Sequence, residues 1–126
     1  KIDGITIRGN LKQQELAKEL LQASVLAYPN TFAETSCISV LEAQAAGCAV
    51  LATTVGGIPT IVSDGTTGLL VAPDDPQAAA DALTRLLTDS ALRRSLTEHA
   101  KAYDWSTITQ QYRDLYDQII FTSPHS

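Results

Sequence analysis

The sequence predicts an α/β domain in which a parallel sheet of about four strands is covered by helices on both faces. Three observations predict it. Short apolar runs alternate along the chain with longer segments whose apolar residues recur at helical spacing. The short runs show no polar alternation, as expected of strands buried on both sides. Gly, Pro and Asx clusters separate the two kinds of segment.

In order, Gly4–Arg8 reads as a first strand and Leu11–Gln22 as an amphipathic helix with Leu16, Leu20 and Leu21 between its charges. Ser24–Tyr28 is an apolar strand stopped by Pro29-Asn30. Ser36–Ala46 is helical and ends at Gly47, after which Ala49–Thr53 is a second buried strand of the same kind. Gly56-Gly57-Ile58-Pro59 reads as a loop with two positions free to take positive φ. Asp64-Gly65 is a turn into a strand over Gly68–Ala72. Asp75 and Pro76 are a helix N-cap and N1 residue. Helices follow over Gln77–Thr88, Ser90–Tyr103 and Ser106–Ile119, and 122–126 reads as a disordered tail after a domain spanning 1–121. The Leu83, Leu86, Leu87 stripe of the first of these helices reads as core packing rather than a partner-binding face.

The composition excludes several classes. At 126 residues the chain is one domain, and 44% hydrophobic residues suffice for a core. A net charge of −5 without a basic stripe argues against nucleic acid. No apolar run approaches the about 20 residues that span a bilayer, and Lys1–Asn10 does not resemble a signal peptide. Cys37 and Cys48 have no zinc-ligand spacing and read as buried free thiols in a reducing compartment. His99 and His125 are given no function, and no metal site is expected.

In a parallel sheet, ligands bind beyond the carboxyl ends of the strands, which directs attention to Gly9-Asn10, 30–36 and 54–58. The informative segment is 34–57. Glu34 precedes a helix and Glu42 lies in its second turn, with seven residues between them. Thr35, Ser36, Cys37 and Ile38 form the helix entrance, where free N–H groups and the dipole favour an anion. A diphosphate held there would be flanked by two carboxylates that can accept hydrogen bonds from hydroxyls on either side. A nucleotide sugar has that layout. The bland alternative is a loop-capping Glu34 and a solvated Glu42.

The whole chain resembles the C-terminal domain of family 4 glycosyltransferases. Glu34 and Glu42 match that family's pair of glutamates seven residues apart. Leu41-Glu42-Ala43 with Ala46-Gly47, then Gly56-Gly57-Ile58-Pro59, then Asp64-Gly65 through Gly68, Val71 and Pro73 match its further motifs in order. Tyr103 and Trp105 stand where the family has an aromatic before its last helix. The resemblance implies a Rossmann-like, incomplete half of a GT-B fold. It implies that Glu42 binds the donor ribose and that Glu34, the catalytic candidate, contacts the transferred sugar. Amides near Thr35, Ser36, Cys37 and Ile38 would hold phosphate, and Gly9 and Asn10 would pack on the base. The implied reaction is hexosyl transfer from a nucleotide sugar to a sugar or lipid acceptor with retention, without a metal or other cofactor. The implied location is cytoplasmic, or at the inner membrane face in a full-length parent.

The chain departs from the family at Thr35-Ser36-Cys37, where Phe-Gly is usual, at Thr60, where Glu is usual, and at Cys48-Ala49. Ser36 can supply a capping hydroxyl, but Cys37 adds a Cβ where glycine allows closer approach. The family's first two strand–helix units, with their phosphate-clamping Arg and Lys, and its acceptor domain are not among these residues. In a sheet of order 3-2-1-4-5-6 the four expected strands would be numbers 3 to 6, leaving a gap. Gly4–Arg8 could pair directly with Ser24–Tyr28, a neighbouring copy could fill the gap, or the chain is a fragment. The favoured expectation is a fragment, inactive alone, that self-associates through an exposed sheet edge. The competing functions are a sugar-nucleotide epimerase of the same architecture and a degenerate non-catalytic binding module.

Overall fold

A computed structural model describes residues 3–100 and 104–122. Its elements are α1 (Gln13–Gln22), β1 (Val25–Tyr28), α2 (Ile38–Ala45), β2 (Ala49–Thr53), α3 (Ile58–Ile61), β3 (Leu69–Val71), α4 (Pro76–Thr88), α5 (Ser90–His99) and α6 (Trp105–Thr122). The three strands form one parallel sheet in the order β1-β2-β3. Val25 pairs with Ala49 and Tyr28 with Ala52, while Thr53 pairs with Val71. All five residues of β2 are buried, because it is the central strand and both its faces are covered.

The period-2 geometry of β2 divides the core in two. Val50 and Ala52 point to one side and pack with Cys37, Val40 and Ala43 around α2, with Ile58 and Val62 beyond them and Leu20 of α1 at the margin. Ala49 and Leu51 point to the other side and pack with Leu69, Leu86 of α4 and Leu96 of α5. The expected two-sided α/β layering therefore holds.

The predicted strand Gly4–Arg8 does not form. Residues 5–9 make no ladder, and Ile5 and Ile7 are 56% and 90% exposed. A run of β-branched residues becomes a strand only where a neighbour pairs its backbone and a face buries its side chains. Beside β1 this segment has neither. It runs instead to α1, tethered by an Arg8–Glu19 ion pair at 2.7 Å.

The local signals for helix ends hold well. Gly47 takes φ 83 after α2, a left-handed position that glycine occupies without penalty. Asp75 caps α4 by accepting from the Ala78 N–H at 2.9 Å, and Pro76 opens it. Asp89 does the same for α5 through the Leu92 N–H. The Asp64-Gly65 turn forms, with Asp64 Oδ1 accepting from the Leu70 N–H. Four expectations change. Gly57–Pro59 opens the short helix α3, because the apolar Ile58 is drawn fully into the core and Pro59 suits a first turn. Leu87 is 58% exposed, so of the three leucines Leu83 and Leu86 pack into the core, beside Ala82. α5 stops at His99, and the expected extension over 101–103 lies outside the described residues, as does the tail at 123–126. Thr122, expected in that tail, instead closes α6. Both cysteines are buried and free. Among the described residues no helix is long and apolar enough to cross a membrane.

Candidate functional site

The carboxyl ends of β1 and β2 carry polar residues in otherwise apolar strands, and these organise the loop that leads to α2. Thr53 closes β2 at 2% exposure. Its hydroxyl is shared between the Asn30 carbonyl at 2.8 Å and the Asn30 side-chain oxygen at 2.6 Å. Asn30 is itself buried, and its Nδ2 donates to the Phe32 carbonyl at 2.9 Å and to Glu34 Oε1 at 3.4 Å. The hydroxyl of Tyr28, the last residue of β1, donates to the same Oε1 at 2.9 Å. A chain of side-chain bonds thus runs from the two strand ends to the Glu34 carboxylate.

The backbone of the same loop is fixed from the other side. The Gly57 N–H donates to the Glu34 carbonyl at 2.7 Å. Gly56 sits at φ 60, and a Cβ there would lie 2.5 Å from the Glu34 carbonyl oxygen. At Gly57 a Cβ would collide with the Thr35 carbonyl, although its φ of −80 is available to any residue. So only one of the two glycines uses positive φ, and both are required for close approach of two loops.

α2 opens at Cys37, which is the N-cap and makes no side-chain cap bond. Ser36 therefore does not cap the helix as expected. The backbone N–H groups of Thr35, Ser36, Cys37, Ile38 and Ser39 donate to no acceptor among the described residues. That leaves a row of free donors at the positive end of the helix dipole. Cys37 is 1% exposed beneath them, and burial pushes its thiol pKa up, with the nearby Glu34 charge adding to the shift. The hydrogen bond to Glu34, then burial, then the Cys37 charge push the Tyr28 phenol up to about 12. Both groups stay neutral at ordinary pH.

Glu42, half-buried in the second turn of α2, faces a groove that it lines with Gln13, Leu16 and Leu20 of α1. Glu34 sits in the loop between β1 and α2, held by Tyr28 and Asn30, whereas Glu42 faces the groove between α1 and α2. Gly9 and Asn10 lie in the exposed segment before α1, with Gly9 at φ 66, and among the described residues no hydrogen bond joins them to the mouth. Tyr28 and Thr53 are candidate-site residues that sequence reasoning passed over, and Asn30 was reached only as the start of the loop 30–36, without a role. The one available signal was Thr53, a polar residue ending a wholly apolar strand beside the critical loop.

A family model described as glycosyl transferases group 1 matches residues 1–103. The chain is 39% identical over 118 residues to a D-inositol 3-phosphate glycosyltransferase of Streptomyces avermitilis, covering 90% of this chain and 25% of that protein. It superposes on a sucrose-phosphate synthase from Thermosynechococcus elongatus with TM-score 0.80 and 33% identity, covering 96% of this chain and 31% of that one. HepE of Anabaena, solved in complex with UDP-glucose, superposes with TM-score 0.71 over 80% of this chain and 29% of its own, at an identity of 23% that shows the fold alone.

Proposed function

The chain belongs to the group 1 glycosyl transferases and has the Rossmann-like α/β architecture of their GT-B relatives, and from that premise we propose that it is the donor-binding part of a retaining hexosyltransferase. The donor is a nucleotide-diphosphate sugar and the acceptor a sugar or lipid bound by a further domain. The chain spans about a quarter of the length of the curated relative described above. In this reading the activity belongs to a longer protein, and the isolated residues are proposed to be inactive.

The observation that carries this reading is the row of free N–H groups over 35–39, with Glu34 before it and Glu42 after it along the chain. The amides of Thr35, Ser36, Cys37 and Ile38 hold the diphosphate oxygens, and the helix dipole stabilises the charge that grows on the leaving group. Glu42 accepts from the ribose hydroxyls and Glu34 from a hydroxyl of the transferred hexose. Gly9 and Asn10 pack on the base. Transfer breaks the bond between the anomeric carbon and the phosphate oxygen and forms one to the acceptor oxygen on the same face. The acceptor proton leaves with the nucleoside diphosphate.

The test is calorimetric titration of the full-length protein with UDP, GDP and ADP, each alone and as its glucosyl ester. One base is expected to be preferred, with Glu42→Gln weakening the diphosphate and its ester alike and Glu34→Gln weakening only the ester. Failure to bind any of the six compounds would overturn the proposal. Product analysis then separates transfer from epimerisation.

A further inference from the structure

The Glu34 carboxylate is not free to turn. Its Oε1 accepts from the Tyr28 hydroxyl at 2.9 Å and from Asn30 Nδ2 at 3.4 Å, and the buried Cys37 thiol lies against the same carboxylate. The backbone of the same residue is tied down by the Gly57 N–H. Tyr28 sits at the carboxyl end of β1 and packs against the core around α2. Its hydroxyl is therefore placed by the sheet, not by the loop. A glutamate on a loop ordinarily samples several rotamers and loses that freedom when it binds. Here the freedom is removed on folding, and one oxygen is already occupied.

We propose that Tyr28 is a positioning residue for Glu34, fixing the carboxylate through Oε1 so that Oε2 alone is presented to a hydroxyl of the transferred sugar. This rests on the reading of Glu34 as the sugar contact. A carboxylate with both oxygens free could accept from two neighbouring hydroxyls of a hexose. With Oε1 taken, Glu34 reads one hydroxyl, and the direction of that reading is set by the end of β1. Asn30 is the second support, and its own orientation is held by Thr53. The arrangement follows the general rule that a binding group is held by a further layer of hydrogen bonds on rigid elements.

The test is a double-mutant cycle in the full-length protein with Tyr28→Phe, Glu34→Gln and the double variant. The readout is the affinity of UDP, GDP and ADP against that of their glucosyl esters. Tyr28→Phe keeps the ring in the core and removes only the donor. It is expected to weaken the ester by about fivefold while leaving the bare diphosphate unchanged. In the Glu34→Gln background the same change is expected to have no further effect. A structural role alone would weaken diphosphate and ester together and would add to Glu34→Gln. Unaltered ester binding in Tyr28→Phe, or additive losses, would overturn the positioning role while leaving Glu34 in place. An ester affinity indifferent to Glu34→Gln, or no binding at all, would overturn the sugar contact and the positioning role with it.

Discussion

The Gly57 N–H donates to the Glu34 carbonyl at 2.7 Å, so the loop after β2 and the loop before α2 are held as one layer. A Cβ at position 57 would meet the Thr35 carbonyl. Gly57→Ala is expected to push the two loops apart, costing about 1–3 kcal/mol of stability as an overpacked contact. It should also weaken nucleotide-sugar binding, since Glu34 and the free amides move with the loop. Urea denaturation and ligand titration check both. Wild-type values for each would show that the two loops are not coupled.

Thr53 is the buried anchor of the network. Thr53→Val preserves shape but leaves the Asn30 side-chain oxygen buried without its donor, which costs about 1–3 kcal/mol. Thr53→Ser keeps the hydroxyl and is expected to recover most of the loss. Comparison of the two denaturation midpoints is the measurement, and equal midpoints would count against the network.

The Tyr28 phenol, raised from 10.0 to about 12, makes the pH dependence specific. A group whose pKa is higher folded than unfolded stabilises the fold fully below its unfolded value. That contribution is lost as pH rises from about 10 towards about 12. Alkaline unfolding should therefore steepen in this window, and Tyr28→Phe should flatten it. Spectrophotometric titration of the phenols should show one of them move to lower pH in Glu34→Gln. An unchanged titration would mean that the carboxylate does not hold the hydroxyl in solution.

The sheet begins at β1, whose outer backbone groups pair with no strand among the described residues. Unpaired strand edges of this kind join other chains. The isolated chain, 13.5 kDa as a monomer, is expected to associate at micromolar concentration, with Ala27→Lys on that strand reducing the association. Light scattering that returns a stable monomer for the parent sequence would contradict this.

Much of the fold was legible because it is written in local signals. Asp75-Pro76, Gly47 and Asp64-Gly65 act within a few residues of themselves, so their helix ends and turn appear where the sequence puts them. The apolar runs of β1, β2 and β3 and the mouth of α2 were legible for the same reason. The fate of Gly4–Arg8 was not, because its residues favour a strand and only the lack of a pairing partner denies it. Nor was the outward position of Leu87, which follows from where α4 rests on the sheet.

The site divides the same way. Sequence alone put a helix entrance between Glu34 and Glu42 along the chain, and the row of free amides appears there, since spacing and helix geometry suffice for that. Tertiary structure decided that Tyr28, Asn30, Thr53 and Gly57 converge on Glu34 and hold it. Those contacts join residues up to 23 positions apart, across two strands and two loops. Such convergence is set by the register of β1 against β2 and by the close approach of backbones, neither of which is encoded in any short stretch of the chain.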